Sequence, residues 1–281
     1  MIGSVLVTAA LWTSILALPL AMNARLPQSS LKLYEYLFPT ATNELSDSWP
    51  SPIGLSLGIL AVIVGQISIL IYFSLRLQFK KSLTSIQREG APSYSLSKEM
   101  IHHLAQPEGF VMLGLYLCGT WMFKLMPLSY YSFEGGINWT HVILQLLIQD
   151  SIQYSMHYLE HKLDPRLYRM SHKPHHRFTN PKLFDAFNGS PADTFCMILI
   201  PLFITAHLVN ANVWSYMAFG TIYANWLCLI HAEYIHPWDG LFRMLGLGTA
   251  ADHHVHHKLF VYNYGHLFMY VGILLLSDHT I

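Results

Sequence analysis

Residues 141–176 read HVILQLLIQDSIQYSMHYLEHKLDPRLYRMSHKPHH. A largely apolar run from His141 to about His157 carries Gln145, Gln149, Asp150 and Gln153, and then histidines take over. Helical periodicity puts His157 and His161, the ends of HYLEH, on one face about 5–6 Å apart. Asp150 and Tyr154 fall on that same face. An acid inside an apolar helix points to function. Asp150 either accepts the second N–H of an imidazole and so orients it, or joins helices by hydrogen bonding. Pro174 bars a continuous helix through HKPHH, so a helix restarting at Pro174 leaves His172 in the turn before it.

The pattern recurs downstream. HAEYIH places His231 and His236 at the end of another apolar block, and HHVHH follows at His253 to His257. His253 and His257 share a helix face, with His256 beside them. His254 is rotated about 100° from His253 and stays outside the expected ligand set. Asp252, directly before the cluster, joins Asp150 and Tyr154 as a residue expected behind the ligands. Ten imidazoles (His157, His161, His172, His175, His176, His231, His236, His253, His256, His257) exceed the four that a structural zinc takes. They suit two metals with about five each, or fewer with open positions. Imidazole serves iron, zinc, copper and nickel alike, so spacing alone does not name the ion.

The 281 residues are 53% hydrophobic and 11% charged, against about 25% charged in soluble domains. Sixteen basic residues balance 16 acidic ones, which argues against a nucleic-acid partner. Apolar blocks lie at Ile2–Met22, Ile53–Leu75, Phe110–Met126, Thr194–Val209 and Val213–Ile230. The first is expected to be a retained span or signal-anchor rather than a cleaved leader, because no Lys or Arg precedes it. Arg76, Lys80 and Lys81 follow the second block and place that end in the cytosol. Counting spans from there puts both histidine sets on the cytosolic face. Leu259–Leu276 reads either as a seventh span or as an interfacial helix. The expected fold is an all-α integral membrane protein of four to seven transmembrane helices with a cytosolic histidine-rich helical cap. The expected division is a first segment at 1–22, a loop, second span and cytosolic linker at 23–109, and a catalytic domain at 110–281. Cys118, Cys196 and Cys228 are far apart in apolar stretches and read as packing residues. No GxGxxG, P-loop or GxSxG is present, so reducing electrons must come from a separate protein.

The ordered set HYLEH, HKPHH, HAEYIH and HHVHH resembles the fatty acid hydroxylase superfamily, over about residues 140–270. That resemblance implies a membrane di-iron enzyme of lipid metabolism in the endoplasmic reticulum. It implies two iron ions held by the histidines, with zinc as a substitute, and dioxygen as co-substrate. It also implies a lipid from the bilayer and an electron donor such as cytochrome b5 or an NAD(P)H-dependent reductase. The chain departs from the family pattern in three places. Ser190-Pro191-Ala192-Asp193 stands where relatives often carry a further histidine. Four residues separate His231 from His236 where some relatives have three, so His236 is expected either to replace the lost ligand or to stand aside. The C-terminal MYVGILLLSDHTI lacks a usual Trp-Asp and Gly-Thr segment. The expected activity is a monooxygenase-type hydroxylation, desaturation or epoxidation of a sterol or sterol precursor. A fatty acid or sphingolipid hydroxylase is the near alternative. A metal transporter or a non-catalytic metal-binding membrane protein is the alternative from another class.

Overall fold

A computed structural model describes residues 6–14, 52–78, 83–87, 90–91 and 95–269. Among these residues the fold is helical. Its only β features are isolated bridges, Ser85 to Tyr234 and Leu247 to Phe268. The principal helices are α1 (Pro52–Gln78), α2 (Leu96–Ala105), α3 (Met112–Met122), α4 (Trp139–Lys162), α5 (Pro165–Met170), α6 (Pro191–Val209), α7 (Val213–Ile230), α8 (Asp239–Met244) and α9 (Ala250–Leu259). Two of them, α6 and α7, are apolar and long enough to cross a bilayer. The part of the first block that falls within the described residues, 6–14, is helical; the remainder lies outside them.

Local chemistry sets each boundary. Asn138 caps α4 by accepting N–H bonds from Thr140 and His141. Asn210, at φ 54°, ends α6, and Asn212 caps α7 by accepting from Ser215. Together they make a tight α6–α7 hairpin. The third apolar block differs from expectation. Pro107 and the non-helical Gly109 kink the chain just before it, and Lys124 has φ 51°. That leaves α3 with 11 residues, about 16 Å by helical rise and so short of a bilayer's ~30 Å core.

Helix α7 packs against α1 and α4, and α4 packs against α6. The contact face of α4 is polar. Gln145, Gln149, Asp150 and Gln153 are buried, whereas Ile143, Leu144 and Leu147 face outward. Gln149 accepts from Thr205 of α6, and Gln145 donates to the Ser215 carbonyl of α7. Polar groups paired between helices and carbon outside suit a lipid environment.

The C-terminal stretch corrects the expectation of a seventh span or interfacial helix, as far as Met269. Phe260 closes α9 with φ 63°, Asn263 has φ 56°, and residues 260–269 form a loop folded back onto the bundle. Asp150 accepts the N–H groups of Leu267 and Phe268, both at 2.8 Å. Trp226 donates to the His266 carbonyl. Residues 270–281 lie outside the described residues.

Candidate metal centre

Four elements deliver the imidazoles. The last turns of α4 carry His157 and His161. HKPHH is a turn after α5, in which the N–H groups of His175 and His176 both bond to the His172 carbonyl. His231 ends α7. His253, His256 and His257 ride on α9, whose start is fixed by a capping box between Thr249 and Asp252.

Nine of the ten expected histidines form two adjacent groups. His157, His161, His172, His176 and His256 make one, and His175, His231, His253 and His257 the other. Within each group the ligand atoms lie within 4.8 Å of one another. Both groups therefore draw on both halves of the sequence, and α9 serves both.

The atoms that face one another identify what the groups can hold. His161 Nε2 and His256 Nε2 each lie 3.1 Å from His176 Nε2. His253 Nε2 lies 3.0 Å from His231 Nε2 and 3.1 Å from His257 Nε2, and His231 Nε2 is 3.4 Å from His175 Nε2. Ligands about 2.0–2.1 Å from a shared ion, at tetrahedral or octahedral angles, stand about 2.8–3.4 Å apart. Several of these rings are already committed on the far side. The Nδ1–H of His157 goes to the Tyr264 carbonyl at 2.8 Å, that of His231 to Leu227 at 2.7 Å and that of His256 to Tyr262 at 2.7 Å. Their Nε2 atoms are then bare lone pairs turned inward. His157 Nε2 and His172 Nε2 are buried with no hydrogen-bond partner at all. Burial pushes the His172 imidazole down to about 3 and that of His175 to about 4, so both are neutral at pH 7. Converging neutral lone pairs are satisfied by a cation, and oxygen-anchored imidazoles are the usual form of such ligands. The residues fit a pair of metal ions.

His236 does not join them. Its Nδ1 meets the Tyr72 hydroxyl at 2.8 Å, its Nε2 meets the Leu229 carbonyl at 3.0 Å, and its ring stacks on Trp238. The extra residue between His231 and His236 carries it past the cluster face. His236→Ala is expected to leave metal content unchanged and to lower stability by about 1 kcal/mol. Elemental analysis beside thermal unfolding checks this.

The residues behind the ligands also differ from expectation. Asp150 touches no imidazole; it holds the 260–269 loop. Asp252 serves the α9 cap and an ion pair with Arg243 at 3.1 Å. Tyr154 packs edge-on against Tyr264, whose carbonyl holds His157. The carboxylate that does orient a ligand is Asp193, which accepts His172 Nδ1–H at 2.6 Å. Buried Glu160 lies 3.6 Å from the same nitrogen. Asp193 thus stands at the segment where the family pattern led us to expect a missing histidine. Asp193→Ala is expected to weaken metal binding about 10–100-fold, measured by competition with a chelator.

His266 escaped the sequence reading because it lies outside any paired motif. It is buried between the groups, with its ring centroid 5.0 Å from that of His157 and 5.3 Å from that of His253, and its Nδ1 has no partner. No spacing signal marks it; the Asp150 anchor brings it in.

Known sequences add to this geometry. The fatty acid hydroxylase profile matches residues 142–275. The alternative squalene epoxidase of Phaeodactylum tricornutum is 56% identical over 271 residues, covering 92% of this chain and 77% of that protein. The Delta(7)-sterol 5(6)-desaturase of Leptosphaeria maculans is 33% identical over 102 residues, 36% of this chain and 27% of the desaturase. That of Saccharomyces cerevisiae is 34% identical over 107 residues, 36% of this chain and 26% of the desaturase. No solved structure gives a significant match. Paired imidazole groups on helices, a profile spanning their motifs and an extended likeness to one lipid oxidase agree: the chain belongs to the fatty acid hydroxylase and sterol desaturase superfamily of oxidoreductases.

Proposed function

We propose that this chain is a membrane-bound non-heme di-iron oxidase that uses dioxygen to epoxidise squalene, a linear sterol precursor. The observation that carries the reading is the pair of adjacent imidazole groups, five and four strong. Identity of 56% over 92% of the chain to an alternative squalene epoxidase supports epoxidation. The sterol desaturase matches extend over only 36% of it. In this reading His157, His161, His172, His176 and His256 hold one iron and His175, His231, His253 and His257 the other. Imidazole suits zinc as well, so zinc is the expected substitute. Bound iron supplies the redox chemistry that side chains lack. The protein's part is to fix the rings through the Tyr264, Leu227 and Tyr262 carbonyls and Asp193, and to keep the site dry by burial.

With no nucleotide or flavin motif, the chain draws electrons from a partner such as cytochrome b5 or an NAD(P)H-dependent reductase. Arg76 in the last turn of α1, with Lys80 and Lys81 next in the sequence, supports a cytosolic face for the histidines in the endoplasmic reticulum membrane. The catalytic unit in this reading is 110–281, which contains the profile match.

The test is expression in cells that lack squalene epoxidation, with lipids profiled for the wild type and His172→Ala. Squalene epoxide is expected with the wild type and not with the variant. Hydroxylated acyl chains in its place would assign the chain to fatty acid hydroxylation. Metal flux across vesicles without lipid change would assign it to transport.

A further inference from the structure

A partly open cavity lies between α1, α3, α6 and α7. Along α7 it follows Tyr216, Gly220, Tyr223 and Leu227. That spacing of four, three and four is one face of a helix. Eleven residues of rise make this face about 16 Å long. The opposite walls include Gly65 of α1, Leu117 of α3 and Leu202 of α6, and the lining is almost entirely carbon.

The inner end abuts the metal centre. Leu227 lines the cavity, and its carbonyl accepts the His231 Nδ1–H at 2.7 Å. One residue thus bounds the cavity and also holds a member of the four-histidine group.

Gly220 makes room for an occupant. Glycine inside a helix costs about 0.5–1 kcal/mol relative to alanine. Here neither packing nor backbone requires it. A Cβ at Gly220 meets nothing within 4 Å, and its φ lies outside the left-handed region. The missing side chain leaves free volume midway along the cavity. Gly65 differs, since a Cβ there would meet Asn225 at 3.0 Å and Thr221 at 3.2 Å.

We propose that this cavity is a channel that takes a linear isoprenoid hydrocarbon end-first, so that the leading end of the chain stops beside the four-histidine group. The assignment rests on the oxidase reading for its substrate class. Walls of carbon recognise a chain with no polar group along it, and a cavity that follows one helix face orients such a chain along that face. A terminal double bond is then the part held nearest the imidazoles, and bonds further back stay within the channel.

The experiment uses the full chain in lipid nanodiscs, with radiolabelled squalene and a linear fifteen-carbon isoprenoid hydrocarbon as probes. Gly220→Phe should weaken squalene retention about tenfold or more, with metal content and unfolding temperature as in the wild type. The shorter hydrocarbon should be retained better than squalene by this variant, because it needs only the inner half of the channel. Leu117→Trp, which fills the same space from the other wall, should reproduce the loss, and it replaces Gly220→Phe should that variant fail to fold. Undiminished squalene retention in a folded, metal-loaded Gly220→Phe or Leu117→Trp overturns the channel. The two readings separate cleanly. Wild-type retention lost in the variants, with no lipid oxidised in cells, would sink the epoxidase reading and leave the channel standing. Epoxide formation untouched by filling the channel would do the reverse.

Discussion

His253→Ala should roughly halve the metal content of the purified protein and cut turnover by about a thousandfold or more, equivalent to about 4 kcal/mol of barrier. His253 is the hub of the four-histidine group. Its Nε2 faces His231 at 3.0 Å and His257 at 3.1 Å, and no other member pairs this closely with two. Its removal leaves three imidazoles and a gap on the side toward His266. The fold itself should persist, because α9 is anchored by the Thr249–Asp252 cap and the Arg243–Asp252 ion pair. The five-histidine group keeps all its members. The informative control is the next residue. His254 donates its Nδ1–H to the Ala250 carbonyl at 2.8 Å, and its Nε2 meets the Gln87 amide at 3.3 Å, so His254→Ala should cost about 1 kcal/mol of stability and no metal. Metal per chain and, on the proposed epoxidase function, squalene conversion, measured on both variants, decide the matter. Metal loss from His254→Ala with retention in His253→Ala would reverse the assignment.

Periodic chemistry was legible in the sequence and convergence from outside the motifs was not. HYLEH and HHVHH announced their faces because helix geometry fixes which positions align, and His254 could be set aside on the same argument. Pro174 correctly interrupted HKPHH. His236 misled because its neighbours Glu233, Tyr234 and Ile235 form no helix; one extra residue in an irregular stretch has no fixed angular meaning. Asp193 and His266 were invisible for a related reason. Each sits near the centre only through tertiary pairing, Asp193 at the start of α6 opposite His172 and His266 through a loop folded back on α4. Leu259–Leu276 read as a span or surface helix, and the described part of it, up to Met269, is a loop. The positive φ at Phe260 and Asn263 and the pull of a buried carboxylate on the Leu267 and Phe268 amides set that loop. Block length was also an incomplete guide, since the kink at Gly109 just before it and the positive φ of Lys124 within it leave the third apolar block only the short α3.

Asp150→Ala should be the most destabilising single change outside the imidazoles, at about 3–5 kcal/mol. The buried carboxylate accepts the peptide N–H groups of Leu267 and Phe268, each at 2.8 Å, and the Tyr223 hydroxyl at 3.3 Å. Alanine leaves those amides without an acceptor, at about 1–3 kcal/mol for each buried donor, and opens space between α4 and α7. Asp150→Asn keeps one carbonyl oxygen but turns an NH2 toward a second donor, so it should cost roughly half as much. The damage should also reach the metals, although Asp150 meets no imidazole. The loop it fastens supplies the Tyr262 and Tyr264 carbonyls that hold His256 and His157, and it carries His266. Loss of such anchors typically weakens metal binding about 10–100-fold. Thermal unfolding in detergent micelles should therefore rank wild type above Asp150→Asn above Asp150→Ala, with chelator resistance falling in the same order. A carboxylate acting only as a proton carrier would give a different result: unfolding temperature and metal retention unchanged in Asp150→Asn, with turnover alone reduced. The two N–H bonds to a loop that spans both histidine groups make the first pattern the expected one.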